Sequence, residues 1–230
     1  VVSADEIASR TDLRYLPIVT IDGERARDFD DAVYVRKTDA GYELYVCIAD
    51  VAYYVSPATA LDQEAYSRGA SVYFPDRAIP MLPEALSNGI CSLNPHEDRL
   101  TKTACIEYNG KGEVVGTRFF NSVIRSRERM TYTDVRRILV DRDPATIARY
   151  AELVPQFELM EELTLLIFDN RKARGNLDFD LPEAEIILDL QGMPENIVRA
   201  ERNIAHRIIE EFMIVANEAV AAGISRAVDG

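Results

Sequence analysis

Four aspartates fall within ten positions, Asp22, Asp28, Asp30 and Asp31, in the stretch Asp22-Gly-Glu-Arg-Ala-Arg-Asp28-Phe-Asp30-Asp31-Ala32. Carboxylates held this close repel one another and raise each other's pKa unless a divalent cation neutralises them. Oxygen-only donors favour Mg2+, with Mn2+ as the alternative. Such an ion can polarise a phosphoryl oxygen and acidify a bound water, which are the requirements for hydrolysing a phosphodiester. Acid runs are often no more than a solvated surface. Here the short side chains are interleaved with Gly23, Arg25 and Arg27 and bounded by apolar strands, which points to a built pocket.

Other acidic chemistries fit less well. An EF-hand beginning at Asp28 needs Gly at its sixth position and Glu at its twelfth, where this chain has Val33 and Asp39. An aspartyl-phosphate nucleophile follows a buried strand directly, whereas Asp28 and Asp30 follow Glu24-Arg25-Ala26-Arg27. The chain has only His96 and His206, no sign of a Ser-His-Asp set, and no G-x-x-x-x-G-K-[ST] loop. Metal-assisted hydrolysis leads.

The elements that must position these residues are legible in the patterning. Leu16–Ile21 reads as a strand delivered into Asp22-Gly23, and Ala32–Arg36 with Tyr42–Ala49 as a hairpin around Asp39-Ala40-Gly41. Ser56–Gly69 reads as a helix and Ser71–Phe74 as a short strand before an extended path set by Pro75, Pro80 and Pro83. Thr103–Tyr108 and Val114–Ile124 flank a turn at Asn109-Gly110-Lys111-Gly112. Helices follow over Tyr132–Val140 and Pro144–Arg174, then a strand over Asp180–Leu190. A last helix spans Glu201–Gly223, its apolar stripe running through Ile204, Ile208 and Phe212. The class is α+β, with antiparallel strands packed on helices.

With 47% hydrophobic residues in 230, the chain can bury a sizeable core. Its apolar runs are far shorter than the roughly 20 residues that cross a bilayer, so the expectation is a cytoplasmic protein with no membrane partner. Cys47, Cys91 and Cys105 are odd in number and lack C-x-x-C spacing, which suits reduced, buried thiols and no disulfide-linked partner. The formal charge of −13 excludes a generic nucleic-acid coat and requires any phosphate contact to be local or metal-bridged.

Thr20-Ile21-Asp22, Asp28-Phe29-Asp30-Asp31-Ala32, Ile48-Ala49-Asp50-Val51 and Ile79-Pro80-Met81-Leu82-Pro83 recur with Cys91-Ser92-Leu93-Asn94-Pro95 and Arg174-Gly175-Asn176-Leu177-Asp178-Phe179. The series closes with His206-Arg207-Ile208-Ile209-Glu210-Glu211-Phe212-Met213. Together these resemble the catalytic RNB domain of the ribonuclease II/ribonuclease R family, more its ribonuclease R branch. The resemblance implies a processive, Mg2+-dependent 3′→5′ exoribonuclease that degrades single-stranded RNA to nucleoside 5′-monophosphates. Asp22, Asp28, Asp30 and Asp31 match the family's magnesium site, with Asp30 most directly tied to cleavage and Asp28 beside it. Tyr73 and Phe179 match the aromatic clamp on the 3′ bases, where stacking tolerates any sequence. Tyr132 and Glu210 match positions contacting the terminal nucleotide and its ribose.

The same resemblance implies that residues 1–230 form part of an RNB domain. Its C-terminal part, with a Ser-Pro-Ile-Arg-type motif, and the flanking cold-shock and OB-type domains are expected outside this chain. That leaves a non-catalytic RNA- or protein-binding fragment as the alternative function. Cys47 stands where the ribonuclease R branch has histidine, away from the catalytic positions. Arg125, Arg127 and Arg129 alternate and are expected to share one strand face toward a phosphate track. Asn203, His206, Glu210 and Asn217 are expected on one side of the last helix, with His206 structural rather than a base.

Overall fold

Alternation of apolar side chains along Asp31–Thr38 and Gly41–Ala49 makes each strand two-faced, and the two faces feed two separate cores. Val33, Val35, Leu44 and Val46 point into one, and Ala32, Tyr45, Cys47 and Ala49 into the other. The computed structural model describes residues 2–74, 77–176, 184–188, 193–199 and 202–229.

The described elements are, in order, α1 (Ala4–Ala8), β1 (Thr11–Asp12), β2 (Val19–Asp22), β3 (Asp31–Thr38), β4 (Gly41–Ala49), α2 (Val51–Tyr54) and α3 (Ala60–Arg68). Then come β5 (Val72–Tyr73), β6 (Ala78–Ile79), a π-helical turn over Ala85–Ile90, β7 (Asp98–Asn109), β8 (Val114–Arg125) and β9 (Glu128–Thr131). The chain continues with α4 (Tyr132–Leu139), α5 (Pro144–Arg149), α6 (Val154–Ala173), β10 (Ala184–Leu188), β11 (Pro194–Arg199) and α7 (Ile204–Asp229). Seven strands form one mixed sheet in the order β1-β8-β7-β4-β3-β2-β9. Its centre is antiparallel, while β1 runs parallel to β8 and β9 parallel to β2. The fold is α+β: α4, α6 and α7 cover one face, where Phe157, Met160 and Phe212 are fully buried. Each such side chain contributes about 1.5–3 kcal/mol.

The β3–β4 hairpin closes with Thr38 opposite Gly41. Gly41 has φ 151°, and a Cβ there would meet Tyr108 O at 2.2 Å, so the close approach of β7 requires glycine. The expected strand over Leu16–Ile21 begins only at Val19, because Pro17 has no N–H and Ile18 N bonds back to Leu16 O. The helix expected over Pro144–Arg174 is two helices. Pro155 lies in the first turn of α6, where its missing N–H costs nothing; in a continuous helix its ring would clash with the carbonyl of Ala151. The Ser56–Gly69 helix is shorter, capped by Thr59, whose side chain accepts from Asp62 N, and ended by left-handed Gly69. All three cysteines are free and buried, and burial pushes the Cys47 thiol up to about 12 and Cys91 up to about 11. Among the described residues no helix is long and apolar enough to cross a membrane.

Candidate metal centre and nucleic-acid interface

Strands β2 and β3 pair only at Val19 and Val33, then part. Extended by three more residues, the same antiparallel register would set Asp22 across from Asp30. The strands diverge instead, and residues 23–30 loop between them with Asp22 at one lip and Asp31 at the other. Four carboxylates therefore share one cleft at the end of the sheet.

The loop is tied down at several points. Ser92, fully buried, donates its Oγ to Arg27 O at 2.8 Å and accepts Phe29 N at 3.0 Å. Leu93 N donates to Phe29 O and Ala49 N to Asp30 O, both at 2.9 Å. Arg129 Nη2 donates to Gly23 O at 2.6 Å, its guanidinium lies over the Phe29 ring, and Thr133 Oγ1 donates to Glu24. Main-chain bonds on both sides of Asp28 and Asp30 thus fix the directions in which those carboxylates leave the backbone. Ser92→Ala strands the buried N–H of Phe29 and the partly buried C=O of Arg27. It is expected to lower stability by about 2 kcal/mol and to weaken divalent-ion affinity. A lower denaturation midpoint with unchanged ion affinity would show that the brace does not position the carboxylates.

The electrostatics are those of uncompensated like charges. Burial, then Asp31, pushes Asp22 up to about 7, against the opposing pull of Arg129. Burial, then Asp30, pushes Asp31 up to about 6, and Asp30 is raised by burial and by Asp28. Asp22 Oδ2 is buried with no hydrogen-bond partner among the described residues. An all-oxygen donor set, mutual pKa elevation and an orphaned carboxylate oxygen fit a hard divalent cation. Among the described residues no three His, Cys, Asp or Glu side chains are already gathered as a ligand set.

A carboxylate whose folded pKa exceeds its unfolded value destabilises the fold once both states are ionised. Without a cation, the strain from Asp22 is absent below about pH 4 and fully present above about pH 7. Metal-free protein is therefore expected to lose stability as pH rises across that window. Asp22→Asn should recover about 2 kcal/mol near pH 8, a figure that allows for solvent screening of a partly exposed group. Urea denaturation of both proteins at the two pH extremes checks this, and equal pH slopes would refute it.

The other sequence-derived residues are placed unevenly. Tyr73, exposed on β5, donates its Oη to Asp28 Oδ2 at 2.9 Å. Tyr132 opens α4 directly after Thr131, which pairs with Asp22 and caps the helix by accepting Asp134 N. Its ring stacks on His206 with centroids 3.9 Å apart, and burial followed by the charges of Asp22 and Asp31 pushes its phenol up to about 12. The His206 ring also faces Asn203, with Nδ1 3.1 Å from Asn203 Oδ1. Glu210 stands one turn further along α7, paired with Arg202 Nη2 at 2.6 Å. Phe179 lies outside the described residues.

The expected arginine row does not form. Arg125 closes β8 and pairs with Asp98 at 2.7 Å, Arg127 falls between strands and pairs with Glu152 at 3.0 Å, and only Arg129, in β9, turns to the aspartate loop. β8 ends at Arg125 and β9 begins at Glu128 at the far side of the sheet order, so the break at Ser126 and Arg127 interrupts the alternation. Sequence reading gave Ser92 no role. Its one signal was a small polar residue between apolar Cys91 and Leu93.

The RNB domain model matches residues 10–228. The chain is 48% identical over 221 residues to ribonuclease R of Escherichia coli (strain K12), covering 96% of this chain and 27% of that protein. It is similar to the structure of Mycoplasma genitalium RNase R in complex with double-stranded RNA, with TM-score 0.91 and 32% identity, over 99% of this chain and 40% of that one. A structure of the same enzyme in complex with ribose methylated single-stranded RNA matches with TM-score 0.91 and 33% identity, over 99% of this chain and 35% of that one. The chain thus spans well under half the length of these relatives. A match from residue 10 to 228, carried by the acidic loop, the sheet and the helices around it, places the chain in the RNB-domain family.

Proposed function

We propose that this chain carries the metal-binding and substrate-gripping half of a 3′→5′ exoribonuclease that hydrolyses single-stranded RNA to nucleoside 5′-monophosphates in the cytoplasm. The observation that carries the reading is the cleft between β2 and β3, where Asp22, Asp28, Asp30 and Asp31 hold unneutralised charge in a chain of the RNB-domain family. Asp22 and Asp31 hold the ion from the two lips, and Asp28 is steadied by the Tyr73 hydroxyl. When bound, Mg2+ or Mn2+ supplies neutralisation of the cluster, polarisation of the scissile phosphoryl oxygen and a more acidic water. Asp30, its affinity for a proton raised by burial and by Asp28, orients the attacking water and accepts its proton at the carboxylate.

Substrate grip comes from side chains that read no particular base. Tyr73 stacks a 3′-terminal base, with Phe179 as the second face of the clamp. Tyr132, held flat by His206, packs the terminal nucleotide, and Glu210 accepts from its 2′-hydroxyl, the group that separates RNA from DNA. The complex of the Mycoplasma genitalium enzyme with single-stranded RNA supports the choice of substrate. The test is an RNA labelled at its 3′-terminal nucleotide and incubated with the intact protein. Labelled nucleoside 5′-monophosphate should be the first product with Mg2+ and absent with EDTA. Internal cleavage, or release that survives EDTA, would refute the reading.

A further inference from the structure

Beside the aspartate loop lies a cavity of about 580 Å3 bordered by Arg27 and Phe29, the two neighbours of Asp28, and by Glu84, Ala85, Asn88, Gly89 and Asn94; among the described residues Arg27 is its one cation and Glu84 its one carboxylate. Its size falls within the roughly 300–1,000 Å3 typical of ligand sites. The far wall is the π-helical turn over Ala85–Ile90, closed by Cys91 N donating to Leu86 O at 2.9 Å. The wall is held in place: Arg99 donates Nε to Ser92 O at 2.7 Å and Nη2 to Gly89 O at 3.2 Å. Arg99 therefore braces the wall of the cavity, and Ser92 joins that wall to the loop carrying Asp28 and Asp30.

The polar groups facing this space are poorly used within the protein. Arg27 is exposed, and its guanidinium makes no hydrogen bond or ion pair among the described residues. The Asn88 side chain has one long contact, from Ser87 Oγ at 3.4 Å. By contrast Arg125, Arg127 and Arg129 are all engaged, by Asp98, Glu152 and Gly23 O. An RNA strand must be held against four carboxylates in a chain of net charge −13, so an unengaged guanidinium one residue from Asp28 is where a phosphate contact contributes most.

We propose that this cavity is a subsite for one phosphodiester of the bound RNA, with the Arg27 guanidinium taking the phosphate and the Asn88 amide hydrogen-bonding the adjoining sugar. This rests on the exoribonuclease reading and adds to it a positive contact that the metal does not supply. Arg27 acts in binding, upstream of the bond that is cut.

The test uses the intact protein with Asp30→Asn, which is expected to hold RNA without cutting it, in Mg2+. Single-stranded RNAs are compared in which one linkage at a time is made neutral as a methylphosphonate. One neutral linkage should weaken binding about tenfold, and Arg27→Ala should weaken binding of the unmodified strand by the same factor. In the Arg27→Ala protein that linkage should then cost nothing further. Arg27→Lys should recover part of the loss, and the salt dependence of Arg27→Ala should fall by about one charge. Asn88→Ala gives an independent reading, with a loss erased by a 2′-deoxy sugar at one position. Equal affinity of Arg27→Ala, or a neutral linkage costing both proteins alike, would overturn the subsite. Failure of the Arg27-intact protein to bind any RNA would instead overturn the exoribonuclease reading, and the subsite with it.

Discussion

Asp30→Asn is expected to slow RNA cleavage by at least about 10³-fold while leaving RNA affinity within about twofold. The amide keeps the volume and the planar shape of the carboxylate but loses its charge and its ability to take a proton. The Asp30 main chain is anchored independently, its carbonyl accepting Ala49 N at 2.9 Å, so the substitution leaves the loop in place. On the proposed reading, binding rests on other residues: Tyr73, Tyr132, Glu210 and Arg27. Single-turnover cleavage and equilibrium binding of one labelled strand check the two halves together. Cleavage at more than about a tenth of the normal rate would remove Asp30 from its assigned role.

The largest expected loss of stability lies away from the cleft. Arg171 Nη1 and Glu211 Oε2 are 2.7 Å apart, with side chains 11% and 3% exposed, and the pair ties α6 to α7. Arg171→Ala leaves the Glu211 carboxylate buried without its partner and should cost about 3–5 kcal/mol, a large share of the roughly 5–15 kcal/mol of a typical domain. Arg171→Met with Glu211→Leu should recover most of it, because desolvating an ion pair consumes much of its own attraction. The pair also bears on the site, since α7 carries both His206, stacked on Tyr132, and Glu210. Chemical denaturation checks the prediction, and a loss under about 1 kcal/mol would refute it.

Much of this was legible in the residues themselves. Apolar β-forming runs around short turns located the β3–β4 and β7–β8 hairpins; β3, β4 and β7 place residues in both cores, one against the helices and one with Leu16, Ile18 and Leu93. The acidic loop stood out because four short carboxylates in ten positions, bounded by apolar strands, are costly to bring together without a neutralising cation. What could not be read depends on three-dimensional pairing. The arginine alternation at Arg125, Arg127 and Arg129 spans the end of one strand and the start of another, and periodicity does not register the break between them at Ser126 and Arg127. The break before α6 was signalled by Pro155 alone, against strong apolar spacing on both sides. Ser92 is a common residue type whose importance lies in two main-chain partners more than sixty positions away. Distinguishing buried Glu211 from exposed Glu210 likewise required the partner helix.

The claim at the centre is that the cleft between β2 and β3 holds a divalent cation. Mn2+ titration of EDTA-stripped protein, followed by electron paramagnetic resonance in the absence of RNA, addresses it without relying on turnover. The expected result is saturable uptake by the intact protein and at least about tenfold weaker uptake by Asp22→Asn, whose native counterpart presents an unpartnered buried oxygen to the cleft. Equal Mn2+ binding by the two proteins would contradict it.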